Sequence, residues 1–145
     1  MSMDKLSLAI FAALLALVSG CGRDEARVAL NTKDAKITVA GGNASVALPD
    51  TFPKDVPILP GGSVKSAINT ADVTSVSLTA SASPQEAAKY YQENLSGQGW
   101  KIDHSLTTGD VTMLAATKDK RQVSLQIGTS DGKTAAIMIS LRSKD

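Results

Sequence analysis

Only one stretch of this chain carries the full local signature of an α-helix, and most of the apolar residues that flank it recur with the period of a strand. The stretch is SPQEAAKYYQENLSGQGW, residues 83–100. Ser83 stands as N-cap, Pro84 takes the first helical position, and Glu86 completes a capping box. Ala87, Tyr91 and Leu95 follow at i, i+4 and i+8 with Ala88 beside them, which makes one buried stripe. Gly97 is placed to end the turn sequence, so the expected helix spans residues 84–96.

The flanks read as strands. Ser63 to Asn69 and Val73 to Ala80 form a pair around a Thr70-Ala71-Asp72 turn, with Val76, Leu78 and Ala80 on one face. After the helix, Trp100, Ile102, His104 and Leu106 alternate on one face, and Val111 to Thr117 follows. Val123, Leu125 and Ile127 point inward from the next run. A Ser130-Asp131-Gly132-Lys133 turn then leads to Ile137, Ile139 and Leu141. Upstream, Ile37 to Ala40 and Ala44 to Leu48 read as a short hairpin around Gly41, Gly42 and Asn43. This order predicts an α+β fold: an antiparallel β-sheet with a single α-helix packed on one face.

Prolines 49, 53, 57 and 60 crowd the segment between the hairpin and the first long strand. Proline fixes φ and lacks a donor, so residues 49–62 are expected as an extended arm over a surface or an edge, never as a central strand. Phe52, Val56, Ile58 and Leu59 are apolar enough to be buried as a strap. Phe52, Val56 and Ile58 are also the candidate partner contact, because a pre-ordered proline-rich segment binds at low entropic cost.

The amino terminus carries a different message. Lys5 precedes Leu6 to Val18, an apolar run of 13 residues, too short for a bilayer crossing of roughly 20. It has the length of a secretory signal core. Leu17, Val18, Ser19, Gly20 and Cys21 resemble the lipobox of bacterial lipoprotein precursors. That resemblance implies a signal peptide over 1–20 and cleavage before Cys21, whose sulfur takes a diacylglyceryl group and whose amine takes an acyl chain such as palmitate. The lone cysteine is thereby accounted for, and two or three acyl chains hold a protein on a membrane where one does not. Residues 21–36 then read as the lipidated terminus and a flexible tether, and 37–145 as one domain. Gly22 rather than Asp after the cysteine implies the periplasmic leaflet of the outer membrane if the host is diderm.

A looser similarity covers residues 37–145. The arm FPKDVPILPG and the helix end YYQENLSGQGW resemble a group of small bacterial lipoproteins for which no activity is established. The resemblance bears on fold and cellular address and carries no catalytic residue with it.

Chemistry is sparse. The 15 basic and 14 acidic residues are interspersed, and five aromatics leave little for base stacking, so nucleic acid is not an expected partner. His104 is the sole histidine and is expected as a packed interior or edge residue; with no second histidine and no cysteine after Cys21, no metal site or disulfide is expected. No G-x-S-x-G elbow or phosphate-binding glycine pattern is present, and the aspartates fall mostly in turns. Lys118, Lys120 and Arg121 around Asp119 read as a solubilising hairpin tip rather than an anion site. The expected function is a membrane-tethered, non-catalytic binding or structural module of the cell envelope, with another envelope protein or a cell-wall component as partner. No cofactor is expected beyond the covalent lipid on Cys21. The alternative is a small apolar-ligand or lipid binder using a groove between helix and sheet, and a paired-carboxylate hydrolase is a distant third.

Overall fold

The computed structural model describes residues 27–129 and 131–143, so Cys21 and the signal lie outside the described residues. Eight strands form one antiparallel sheet: β1 (Arg27–Asn31), β2 (Ala35–Ala40), β3 (Ser63–Thr70), β4 (Val73–Ala80), β5 (Lys101–Thr108), β6 (Val111–Lys118), β7 (Arg121–Thr129) and β8 (Ala135–Ser143). The single helix among the described residues, α1 (Pro84–Gly97), lies between β4 and β5 in the chain. The spatial order is β1-β2-β3-β4-β8-β7-β6-β5. The chain leaves β4 in mid-sheet and crosses as α1 over β8, β7 and β6 to the far edge. It then returns as the meander β5 to β8, which closes against β4. The architecture is α+β.

The helix starts where its local chemistry says. Ser83 accepts from the Glu86 N–H at 3.2 Å, and a Glu86 carboxylate oxygen accepts from the Ser83 N–H at 2.9 Å. The bond from the Ser83 N–H, joined by one from the Ser83 hydroxyl at 3.0 Å, holds the Glu86 carboxyl below its usual range. Ala87, Tyr91 and Leu95 are buried completely. At the other end Gly97 is still helical, Gln98 is the cap, and the left-handed φ of +84° falls on Gly99. The helix therefore runs one residue past the expected end at 96, and the left-handed glycine is Gly99 rather than Gly97.

Strand alternation separates two sets of side chains. An inner set holds Val76, Leu78, Leu114, Ala116, Val123, Leu125, Ile127, Ile137 and Ile139, all buried with the helix stripe. The outer set occupies the intervening positions.

Four expectations are corrected. First, the strands begin ten residues earlier than the expected domain: β1 pairs with β2 inside the stretch read as tether, after a turn in which Thr32 and Ala35 exchange hydrogen bonds. All five β1 residues are exposed, so burial left no periodic trace there. Second, Ala44 to Leu48 is not a strand. β2 pairs with β1 and β3 instead, while Val46 N–H reaches Val64 O at 2.9 Å and the Lys65 ammonium reaches Ala44 O at 2.9 Å.

Third, the proline arm is folded into turns rather than extended. Phe52, Val56 and Gly62 each donate to the carbonyl three residues back, at 2.9, 3.2 and 2.9 Å. In the last turn Pro60 supplies the fixed φ and Gly61 the φ of +74° that a type II turn requires. Gly62 must be bare, since a Cβ there would sit 2.7 Å from Leu78 Cδ1. Each of the first two turns delivers its fourth residue to the core, leaving Phe52 9% and Val56 3% exposed, with Ile58 packed against them. Of the three residues named as a candidate partner contact, Phe52 and Val56 are thus buried and Ile58 is half-buried.

The fourth correction concerns β5. Its register shifts between Ile102, opposite Ala116, and His104, opposite Ala115, leaving Asp103 as the extra residue of a β-bulge. Trp100 and Ile102 stay inside, whereas His104 and Leu106 are turned to the outer set. The four residues do not share a face, and His104 is exposed.

Candidate functional site

Two features stand out once the fold is in place: an ionic clasp that holds the arm, and an apolar trough on the outer side of the sheet. The clasp explains the arm and helix motifs together. Tyr90 Oη donates to Ile58 O at 3.1 Å, and Tyr91 Oη accepts from Leu59 N–H at 3.2 Å. Trp100 Nε1 donates to Asp55 O at 2.9 Å, with Arg121 5.1 Å from its ring centre. Burial pushes the Tyr91 phenol up to about 12.

Asp55 takes both guanidinium nitrogens of Arg121, at 2.9 and 2.7 Å, and the ammonium of Lys118 at 2.9 Å. The Arg121 hydrogen bonds, opposed by desolvation and reinforced by Lys118, hold the Asp55 carboxyl down at about 2. Two of the three cations of the hairpin tip expected as solubilising are committed, since Lys118 and Arg121 neutralise a carboxylate of the arm. The anion they bind belongs to their own chain. Asp131 is likewise occupied: it accepts from the Thr134 and Lys133 N–H groups, which hold its carboxyl well below the usual range.

The trough is built by cross-strand register. Leu106 stands opposite Met113, Met113 opposite Gln126, and Gln126 opposite Met138. One rung away, His104, Ala115, Ser124 and Ser140 line up in the same way. These two rungs line an open hollow of about 430 Å3 with a predominantly apolar lining. A second hollow of about 370 Å3, lined by Val111, Gly128 and Ala136 among others, shares Gln126 and Met138 with it. Gly128 keeps the floor low, because a Cβ there would touch Val111 at 3.5 Å.

Leu106, Met113 and Met138 are 62%, 54% and 51% exposed. Each apolar side chain left in water forgoes burial free energy of about 1.5–3 kcal/mol, so three in register on one trough need a reason other than stability. The polar side chains are small or neutral: Ser124, Gln126 and Ser140, the last at 2.9 Å from Ser75 Oγ. His104 stands at one margin.

The groove foreseen between helix and sheet is not where this opening lies. Ala87, Tyr91 and Leu95 are fully buried there, in one cluster with the inner residues of the sheet. Sequence reasoning missed Met113, Met138, Ser124, Gln126 and Ser140. A signal was present in Ala136-Ile137-Met138-Ile139, an unbroken apolar run that a strand covered on one side alone does not need.

Among known proteins, the family model that matches is described as START domain-like and spans residues 62–134, half of the chain, from the start of β3 to the start of β8. No curated protein and no solved structure matches the chain. The match is compatible with a ligand-binding module.

Proposed function

As the chain belongs to the START domain-like family, we propose that it is a non-catalytic binding module of a bacterial cell envelope, anchored through lipid on Cys21, that takes an apolar ligand on the outer side of its sheet. In this reading α1 and the arm close one face of the sheet, and the opposite face is the working surface. The observation that supports it is the trough of Leu106, Met113 and Met138, whose combined geometry matches the volume and lining of small-ligand sites. Methionines suit such a site, because an unbranched, polarizable side chain adapts to ligands of differing shape.

The ligand class is a linear or flat aliphatic molecule with a neutral or hydrogen-bonding end. The apolar body lies across Met113 and Met138, and the polar end meets Ser124, Ser140 or His104. The clasp of Asp55 and Arg121 has no part in binding; it holds the inner side shut, so that the ligand meets the outer trough and not the core.

The test is a titration of the soluble domain, residues 27–145, with a fluorescent long-chain fatty acid. Wild type is expected to bind with micromolar affinity, and the triple variant Leu106→Ser, Met113→Ser, Met138→Ser to bind at least tenfold more weakly while melting at the same temperature. Equal affinity of the two proteins would overturn the assignment.

A further inference from the structure

The large apolar side chains that strands leave exposed are Val28, Leu30, Val39 and Ile68 at one end of the sheet and Leu106, Val111, Met113 and Met138 at the other. Register places all of them on the outer side. Val28 pairs with Val39, Val39 with Ser66, Ser66 with Ser77 and Ser77 with Met138; Leu30 pairs with Ile37, Ile37 with Ile68 and Ile68 with Ser75. Between the two apolar ends runs a belt of serines: Ser66, Ser75, Ser77 and Ser140. Neighbouring strands rotate by roughly 20–25°, so across eight strands the two ends diverge by about 150°. One flat partner cannot meet both. The trough at the β5–β8 end therefore leaves the β1–β3 end unexplained.

We propose that the β1–β3 patch, formed by Val28, Leu30, Ile37, Val39 and Ile68, rests on the lipid surface in which the Cys21 anchor is embedded. The proposal rests on the reading of Cys21 as the lipidated residue. Chain length is the first argument. Only Gly22 to Ala26 separate Cys21 from the first residue of β1, so even fully extended the span is about 20 Å. With β1 part of the sheet, only residues 22–26 remain of the stretch expected as a tether, and the strand nearest the anchor in the chain offers the lipid Val28 and Leu30, 56% and 58% exposed.

Charge is the second argument. β1, β2 and β3 contain no carboxylate; Arg27 and Lys36 stand in register with the inner positions Ala40 and Asn69, and the Lys65 ammonium is held by Gly42 O and Ala44 O, so the outer patch itself is uncharged and does not repel a headgroup layer. The third is the edge itself. β1 is the outermost strand, and an exposed apolar edge strand invites association with other chains. Lying at the headgroup boundary shields its side chains while leaving its edge N–H and C=O groups in reach of water. The trough, at the far end of a twisted sheet, then faces away from the membrane and stays open.

The experiment uses the mature full chain purified from membranes and placed in vesicles of phosphatidylcholine and phosphatidylglycerol, with or without bromine on the acyl chains. Bimane is attached to single variants Leu30→Cys, Val39→Cys and, as a control on the exposed helix surface, Lys89→Cys. Metabolic labelling with a palmitate analogue establishes the anchor in the same preparations, and circular dichroism melting verifies each fold. Brominated lipid is expected to quench bimane at positions 30 and 39 at least twofold more than at 89. Labelled protein with equal quenching at all three positions overturns the docking and leaves the anchor standing. Absence of palmitate label overturns both. Unquenched probes at 30 and 39 together with a dimer mass assign the patch to a second copy and overturn the proposal.

Discussion

The two sides of the β4–β8 region are made of the same strands and do opposite things with apolar residues. On the inner side Leu78, Leu114, Val123, Ile127, Ile137 and Ile139 are buried in one cluster with residues of α1 and the arm, and their value is stability. On the outer side Leu106, Met113 and Met138 project from neighbouring positions into an open trough and contribute almost nothing to it. A strand that spends apolar residues on both sides, when only one is closed, marks the open one as a surface for something else. The contrast also separates residue types. Branched aliphatics fill the inside, where fixed shape matters; methionine and serine fill the outside, where adaptability does.

The contrast can be broken most severely from the inside. Phe52→Ala combined with Ile58→Ala removes the arm's grip on the core and is expected to cost about 4–5 kcal/mol, read as a shift in urea midpoint or as aggregation of the soluble domain. If the arm were instead a partner surface, the double variant would melt like wild type and lose only its partner.

A smaller loss is expected from the clasp. Asp55 titrates in the folded domain at about 2, below its ordinary 3.8, so its stabilising contribution is complete above about pH 4 and disappears as pH falls through 2. Asp55→Asn is expected to cost about 1–2 kcal/mol at pH 7, since the carboxylate side chain is 23% exposed and its pairing is partly screened. Unfolding curves at pH 7 and pH 2 check this, because the gap between variant and wild type should close at the lower pH. A gap independent of pH would assign the loss to packing. The smallest effect belongs to the outer margin. His104→Gln should change stability by less than about 0.5 kcal/mol, as exposed substitutions do, and a loss above 2 would place this histidine inside after all.

Legibility in the sequence followed the range of the interactions. The capping box at Ser83 and Glu86 spans three residues and was readable as it stands, as was the inward alternation of Val123, Leu125 and Ile127. The clasp joins Asp55 to Arg121 across 66 positions, and no local pattern announces it. The bulge at Asp103 was hidden for a sharper reason. Ile102, His104 and Leu106 alternate without a fault, so a single inserted residue reverses the side of everything after it while leaving the period intact. That one reversal brings Leu106 and His104 to the trough. β1 was invisible because none of its side chains is buried, and the turns of the arm because prolines forbid strand and helix without choosing between extension and turning.

The central claim is that ligand meets the outer side of the β5–β8 strands while the inside stays closed. Methyl NMR of the soluble domain, titrated with a saturated long-chain fatty acid, tests it directly by locating the contact. The account predicts progressive, saturable shifts at the methyls of Leu106, Met113 and Met138, with those of Leu78, Leu95 and Ile139 unmoved. Shifts concentrated on Leu95, Leu114 and Ile139 would place the ligand between helix and sheet, and that result would contradict it.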